Sequence, residues 1–276
     1  MTNRDDKENA IRAIVIGCGG RMGKGIIQVL SKTKGIRLVG GTERNNSSLI
    51  GKDLGEVSGI GIMNTPISDN LANIINHGDV LIDFTQPETT MANVELAALN
   101  KKDMVIGTTG LSQHQIDQIK KHSRDIRIVQ SPNMSVGVNV LFQLVEDAAH
   151  ALGANYDIEI IEAHHRHKKD APSGTALKIA EILAHATKRD LRKVAVYGRK
   201  GITGERRKEE IGIHVIRGGD IAGDHTIAFC GEGERVQLTH IAHNRNIFAQ
   251  GAVLAALWLS DKKPGLYNMR DVIGLK

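Results

Sequence analysis

Apolar residues in the first half of the chain come in short runs separated by helical patterns. Ile11–Ile16 is one such run; it ends in the glycine-rich segment GCGGRMG, residues 17–23, and a helical pattern follows through Leu30. Ile36–Thr42 reads as a second strand, and 79–84, 104–108 and 126–130 read as further short strands. Helices are expected over 87–100 and 112–121, with Ser112 suited to helix entry. Residues 45–70, rich in Gly, Ser and Asn, read as a long loop. Short β-rich runs alternating with helices predict parallel βαβ units. Helices cover both faces of such a sheet, so its strands are apolar throughout rather than alternating.

After about residue 135 the rhythm changes, and a second domain is expected to begin there. Residues 138–152 predict a helix with Leu141, Leu144, Val145, Ala148 and Leu152 on one face. Residues 157–163 predict a strand in which Ile158, Ile160 and Ile161 are apolar but Glu159 and Glu162 are not. A second helix is expected over 175–186. Residues 211–244 read as three consecutive strands joined by turns at 218–220 and 231–234, an antiparallel meander. A final helix over 248–260 precedes Pro264. The fold class is therefore α/β: an N-terminal Rossmann-like domain and a second, mixed α/β domain with an antiparallel-rich sheet.

A length of 276 residues accommodates one large or two modest domains, and 41% hydrophobic with 24% charged residues is ordinary globular usage. The 30 glycines exceed ordinary usage without a collagen period, so they belong in tight turns and close backbone approaches. Aromatic content of 3%, with Trp258 the sole Trp, argues against stacking platforms for nucleic-acid bases. The net charge of +5 is spread without long basic blocks and suits a small anionic ligand. Cys18 and Cys230 are too few for a disulfide framework and fit a reducing cytoplasm, the expected location. The polar start MTNRDDKENA lacks the apolar core of a signal peptide, and the longest apolar stretch, 247–259, is too short to span a bilayer. Neither nucleic acid nor membrane is an expected partner.

The glycine segment lies between a predicted strand and helix. Glycines there permit a tight turn and close approach to a pyrophosphate, while the helix start offers free N–H groups and a positive dipole end. The spacing is Gly17-x-x-Gly20-x-x-Gly23, with Gly19 extra and Met22 where a third glycine of GxGxxG would fall, so a turn without a ligand stays an alternative. Glu43 stands at the end of the second strand, where dinucleotide-binding folds place an acidic residue against the ribose diol; Arg44 beside it suits a 2′-phosphate, and Arg21 adds a cation near the phosphates. Two later strand ends, Phe84-Thr85-Gln86-Pro87 and Gly107-Thr108-Thr109-Gly110, fit either the nicotinamide half of such a site or simple turn chemistry.

The segment EAHHRHKKDAPSGTAL, residues 162–177, holds His164, His165 and His167 with Arg166, Lys168 and Lys169. Ser173, Gly174 and Thr175 open a helix that presents N–H groups and hydroxyls to an anion. Lys168 can pair with a carboxylate, and histidines exchange protons near neutral pH. A site for a small polycarboxylate undergoing proton transfer fits these residues. A solvated basic loop is the alternative, whereas zinc is disfavoured by the spacing, the missing cysteines and the adjacent cations.

Taken in order, GCGGRMG, FTQPE, GTTG, SPNMSVGVN and E-x-HHRHK-x-DAPSGTA resemble the 4-hydroxy-tetrahydrodipicolinate (dihydrodipicolinate) reductases, over residues 11 to about 274. The resemblance implies NAD(P)H-dependent reduction of 4-hydroxy-tetrahydrodipicolinate, with loss of water, in diaminopimelate and lysine biosynthesis. It implies a dinucleotide-binding domain of residues 1–134 completed by 245–276, and a substrate-binding and oligomerisation domain of 135–244 that builds a homotetramer. NADH or NADPH would touch Gly17, Cys18, Gly19, Gly20, Arg21, Met22, Glu43, Arg44, Phe84, Thr85, Gly107, Thr108, Thr109, Ser131, Pro132, Asn133 and Met134; no metal is implied. His164 matches the family's proton donor and Lys168 its essential lysine, while His165, Ser173, Gly174, Thr175 and Arg245 match residues that hold a small dicarboxylate substrate. Met134 stands where many members carry an aromatic residue. The readings kept beside this one are a dinucleotide-sensing regulatory protein without turnover and another NAD(P)-dependent reductase of a small carboxylate.

Overall fold

The computed structural model describes residues 9–275, so most of the polar segment inspected for a signal peptide lies outside the described residues. The chain divides into two compact units, residues 1–136 with 246–276, and residues 137–245.

The first unit opens with strands β1 (Ile11–Ile16), β2 (Ile36–Thr42), β3 (Val80–Asp83), β4 (Asp103–Ile106) and β5 (Arg127–Gln130), all parallel to their neighbours. Successive residues of β1 point into different cores. Ala13 and Val15 pack with Ile26 and Ile27, while Ile14 and Ile16 pack with Val94, Ala97 and Ile119. Burying one such large aliphatic side chain stabilises the fold by roughly 1.5–3 kcal/mol, so each face of the sheet holds its helices firmly. The helices are Arg21–Leu30, Pro87–Leu99 and Gln113–His122, the last opened by a capping box between Ser112 and Gln115. The expected loop 45–70 is more ordered than its composition suggests. It contains the short helix Leu54–Ser58, and the Asp53 carboxylate accepts N–H bonds from Gly55, Glu56, Met63 and Thr65. Those amides, Met63 foremost, hold Asp53 below the usual carboxylate range.

The helix Val136–Leu152 precedes the second unit's sheet. Leu141, Val145 and Ala149 form its buried face, whereas Leu144, expected on that face, is 47% exposed. Strand β6 (Asp157–His164) and helix Gly174–Ala186 follow, then β7 (Ala195–Tyr197), β8 (Ile211–Arg217), β9 (Gly223–Cys230) and β10 (Arg235–Ala242). The order is β10-β9-β6-β8-β7. The expected meander is therefore corrected: β8 is not paired with β9 but runs parallel to β6, and β9 pairs antiparallel with β6 and β10. The reason is that β6 is the buried centre of the sheet, with Ile158 and Ile160 at 0% exposure, and takes a neighbour on each side. One face packs on the two helices through Leu141, Val145, Ile179, Leu183, Ile213 and Phe229. On the opposite face Ile161, Ile216 and Ile241 are exposed.

The chain then returns to the first unit. Helix Asn246–Leu259 brings Ala249, Ala252, Val253, Ala255, Ala256 and Leu259 into the same core as Ile26 and Ile27, and β11 (Gly265–Tyr267) pairs with β5. The finished sheet has the order β11-β5-β4-β3-β1-β2. The order reverses at β1 and β3, and in such sheets ligands bind beyond the carboxyl ends of the strands at that reversal.

Candidate functional site

The glycine loop leaves β1 at this reversal. Gly17 has φ +71°, which favours glycine, and the Gly17 and Cys18 N–H groups both donate to the Thr42 carbonyl, at 2.9 and 3.0 Å. Each remaining glycine keeps space clear in its own way. A Cβ on Gly19 would stand 2.3 Å from Leu49 and 2.9 Å from the Glu43 carboxylate, and one on Gly23 would stand 2.3 Å from the Gly17 carbonyl oxygen. Gly23 thus does the helix-packing work of the third glycine, one residue later than in the usual spacing. The Glu43 carboxylate accepts from Gly19 N–H and from Arg44 N–H, each at 3.1 Å. Gly20 caps the helix without a side-chain bond, so no cap side chain takes the first-turn N–H groups of Arg21, Met22 and Gly23, the kind of helix start that suits an anion. An open cleft of about 730 Å³ is lined by Gly17, Gly20, Glu43, Arg44, Phe84 and Thr85.

Not every residue named from the sequence faces that cleft. Cys18 is fully buried, and burial, then Glu43, pushes its thiol up to about 12. The Thr108 hydroxyl is buried against that of Thr90 at 2.8 Å, and the Ser131 hydroxyl donates to the Asn133 carbonyl at 2.8 Å. The Met134 side chain is 1% exposed and belongs to the hydrophobic core. At these positions any ligand contact falls to the backbone. Arg44, Thr109 and Pro132 are exposed, and Phe84 and Thr85 half-buried. Gly107 is required by Phe84, whose ring lies 2.1 Å from where a Cβ would be. Beneath Thr85 lies Asp83, which accepts from the Thr85 hydroxyl at 2.6 Å and from Asn93 at 2.9 Å. Burial pushes its carboxyl above the usual range, against the pull of those two bonds.

In the second unit the histidine-lysine segment leaves the end of β6. The Nδ1 of His164 is 2.6 Å from Oε2 of Glu162, and its ring meets that of His225 edge-to-face at 5.2 Å. His165 accepts at Nε2 from Arg245, 2.6 Å away. The Lys168 ammonium donates to the exposed Asp170 carboxylate at 2.9 Å. Ser173 is buried: its hydroxyl accepts from Ala176 N–H and bonds His225 Nε2, each at 3.1 Å, so its side chain closes the helix start from within. Gly174 is exposed with open space around its Cα, and Thr175 is half-buried. Burial lowers the pKa of His164, opposed by Glu162, and that of His165, reinforced by Arg245. Burial lowers His225 to about 4. Among the described residues no three His, Cys, Asp or Glu side chains are grouped to hold a metal ion.

Two residues central to this cluster were not picked out from the sequence. Glu162 is 0% exposed, and Arg217 at the end of β8 grips it with both terminal nitrogens at 2.8 Å. A signal was present: strand alternation puts Glu162 on the face of Ile158 and Ile160, and a carboxylate there needs a charged partner.

The parallel sheet, the glycine loop at its reversal and the acidic end of β2 define a dinucleotide-binding scaffold of the kind that nicotinamide-dependent oxidoreductases use. Residues 11–134 match the family described as "Dihydrodipicolinate reductase, N-terminus" and residues 137–273 the family described as "Dihydrodipicolinate reductase, C-terminus". The chain belongs to the dihydrodipicolinate reductase family. It is 48% identical over 266 residues to a 4-hydroxy-tetrahydrodipicolinate reductase of Geotalea uraniireducens (strain Rf4), covering 96% of this chain and 100% of the relative. It is 49% identical to that of Syntrophus aciditrophicus (strain SB), covering 96% and 99%. The solved structure of a dipicolinate-bound dihydrodipicolinate reductase from Paenisporosarcina sp. TG-14 superposes with a TM-score of 0.76 at 25% identity, covering 96% of this chain and 99% of that one. An amine dehydrogenase from Mycobacterium smegmatis shares the fold at a TM-score of 0.60 and 14% identity, over 94% and 95% of the two chains.

Proposed function

We propose that the protein reduces 4-hydroxy-tetrahydrodipicolinate to tetrahydrodipicolinate with loss of water, using NADH or NADPH, as a step of diaminopimelate and lysine biosynthesis. The observation that supports this most is the end of β6, where His164, His165, Lys168 and the open helix start at Gly174 cluster beside one buried carboxylate. The Paenisporosarcina relative is described as binding dipicolinate, a planar dicarboxylate, and the same ligand class suits this cationic cluster.

The first-turn N–H groups of the Arg21–Leu30 helix would hold the dinucleotide's phosphates, and Glu43 the ribose diol. Exposed Arg44 is free to meet a 2′-phosphate, so both cofactors are expected to work. Phe84, Thr85 and Thr109 would border the nicotinamide. When bound, the reduced nicotinamide supplies a hydride to the substrate ring. Lys168 exchanges its exposed partner Asp170 for a substrate carboxylate, and charge-assisted bonds of this kind contribute roughly 1.5–3 kcal/mol each. His165, Arg245, Gly174 and Thr175 hold and orient the dicarboxylate, and His164 delivers the proton. No metal takes part in this scheme.

Copies of the chain are proposed to assemble as a homotetramer that covers the sheet face bearing Ile161, Ile216 and Ile241, and to work in the cytoplasm. Sedimentation velocity tests the assembly. The reaction is tested by following absorbance at 340 nm with the ring substrate; folded protein that oxidises neither NADH nor NADPH would refute the function.

A further inference from the structure

Glu162 makes four polar contacts and has no contact with solvent. Its Oε1 accepts from Ser173 N–H at 2.9 Å and Arg217 Nη2 at 2.8 Å; its Oε2 accepts from Arg217 Nη1 at 2.8 Å and lies 2.6 Å from His164 Nδ1. A carboxylate offers about four acceptor sites. Three are taken by groups that can only donate, a backbone amide and a permanently charged guanidinium; against the opposing effect of burial these bonds hold Glu162 below the usual carboxylate range, and an ionised carboxylate has no proton to give, so the fourth contact is donated by His164. The proton on Nδ1 is thereby fixed, and Nε2 becomes the atom that gains and loses a proton. Nε2 lies toward Gly223, where a Cβ would stand 3.0 Å away, a close contact that the glycine avoids.

We infer that Glu162, clamped by Arg217, is a positioning residue for the reaction: it locks His164 with Nδ1 protonated, makes Nε2 the proton-delivering atom, and through Ser173 N–H sets the start of the Gly174–Ala186 helix relative to it. One carboxylate thus indexes the proton donor and the substrate-holding helix together. Arg217 extends the same frame, because Nη2 also donates to the Asp170 carbonyl at 2.7 Å. The inference rests on the proposed role of His164 as proton donor.

The charged and titratable groups facing His164 are Glu162 on its own strand, His165 and Lys168 in the following loop, Arg217 on β8 and His225 on β9. Glu162 alone favours the imidazolium, while burial, Lys168 and Arg217 oppose it. Neutralising Glu162 leaves only opposing influences. Since a proton donor must be protonated, activity is lost as pH rises through the His164 pKa. Glu162→Gln therefore moves the alkaline limb of the kcat profile to lower pH, by about 1–3 units for a neighbouring charge.

Two measurements test this. In unsubstituted protein with 15N-labelled histidine, NMR should show neutral His164 protonated at Nδ1 and titrating at Nε2; a neutral His164 carrying its proton on Nε2 overturns the inference, and this reading does not depend on a variant that folds. In a double-mutant cycle, Glu162→Gln should lower kcat about tenfold, part of the usual general-acid contribution, with the dinucleotide KM unchanged. In a His164→Gln background it should add less than about twofold. Equal losses in both backgrounds with an unshifted pH limb would show that Glu162 only stabilises the fold and would overturn its positioning role, leaving the proposed function standing. Full kcat in His164→Gln alone would instead remove the proton-donor assignment and this inference with it.

Discussion

Replacing Gly23 by alanine brings a methyl group against backbone that cannot yield. The added Cβ would stand 2.3 Å from the Gly17 carbonyl oxygen, 2.7 Å from Cys18 Cα and 2.9 Å from the Cys18 carbonyl carbon. These atoms belong to a turn pinned by two N–H bonds to the Thr42 carbonyl, at 2.9 and 3.0 Å. The Arg21–Leu30 helix must therefore lift away, opening its packing through Ile26 and Ile27, both essentially buried. Overpacking of this kind costs roughly 1–3 kcal/mol, and with backbone as the obstacle the upper half of that range applies. At roughly 2–4 °C per kcal/mol for a chain of this size, the first unit's melting transition should fall by about 4–12 °C. Gly20→Ala is the control, since its Cβ would meet only the Gly17 carbonyl oxygen, at 3.2 Å, and Gly20 is exposed. It should shift melting by less than about 2 °C. Thermal denaturation by circular dichroism measures both, and NADH fluorescence titration should show at least about tenfold weaker binding for Gly23→Ala, because the lifted helix carries the amides proposed to hold the phosphates. A Gly23→Ala protein that melts with wild type and binds NADH equally well would refute the close packing of this helix on the turn.

Arg44→Ala should weaken NADPH far more than NADH in steady-state KM; equal losses would show that Arg44 does not read the 2′-phosphate. Lys168→Ala should raise substrate KM and lower kcat together while NADH affinity, measured by fluorescence, stays unchanged; a pure kcat effect would contradict its proposed role in holding a carboxylate. For Glu159, burial is outweighed by bonds from Arg199, His214 and Arg206, which lower its pKa from 4.5 to about 2. A depressed carboxylate contributes stability above its unfolded pKa and loses it as pH falls through the folded one, so the stability gap between wild type and Glu159→Gln in urea should be full above pH 4.5 and close toward pH 2. Dialysis against a chelator should leave turnover intact, because His164 is engaged by Glu162 and His165 by Arg245; loss restored by zinc would refute that.

Legibility from sequence followed the strength of local patterns. Strands β1 and β2 are found at their expected bounds, because continuous apolar runs ending in turn residues leave few alternatives. The three-residue strands β7 and β11 and the five-residue helix Leu54–Ser58 were not read, since elements that short show no period. Turn chemistry at 218–220 marked a chain reversal but not the strand's neighbour, and β6 took the place expected of β9 beside β8. Within the candidate sites, motif spacing located the loops but not the direction of their side chains. Cys18, Thr108, Ser131, Met134 and Ser173 lie in motif segments yet point inward. Glu162 and Arg217 meet only through pairing of β6 with β8, where His164 stands opposite Arg217, and no spacing along the chain encodes that register.

The return of the chain to its first unit bears on synthesis. Residues 137–245 are an insertion between the first 136 residues and the closing 246–276. Until those last residues emerge from the ribosome, β5 is an unpaired sheet edge, and Ala13, Val15, Ile26 and Ile27 lack the helix that completes their core. The inserted unit carries its own core and has all its strands available earlier. Order of appearance along the chain and order of completion are thus reversed: the unit begun first closes last. A chain stopped near residue 245 would carry a finished second unit and a first unit with an open sheet edge, a form suited to chaperone capture and proteolysis rather than turnover.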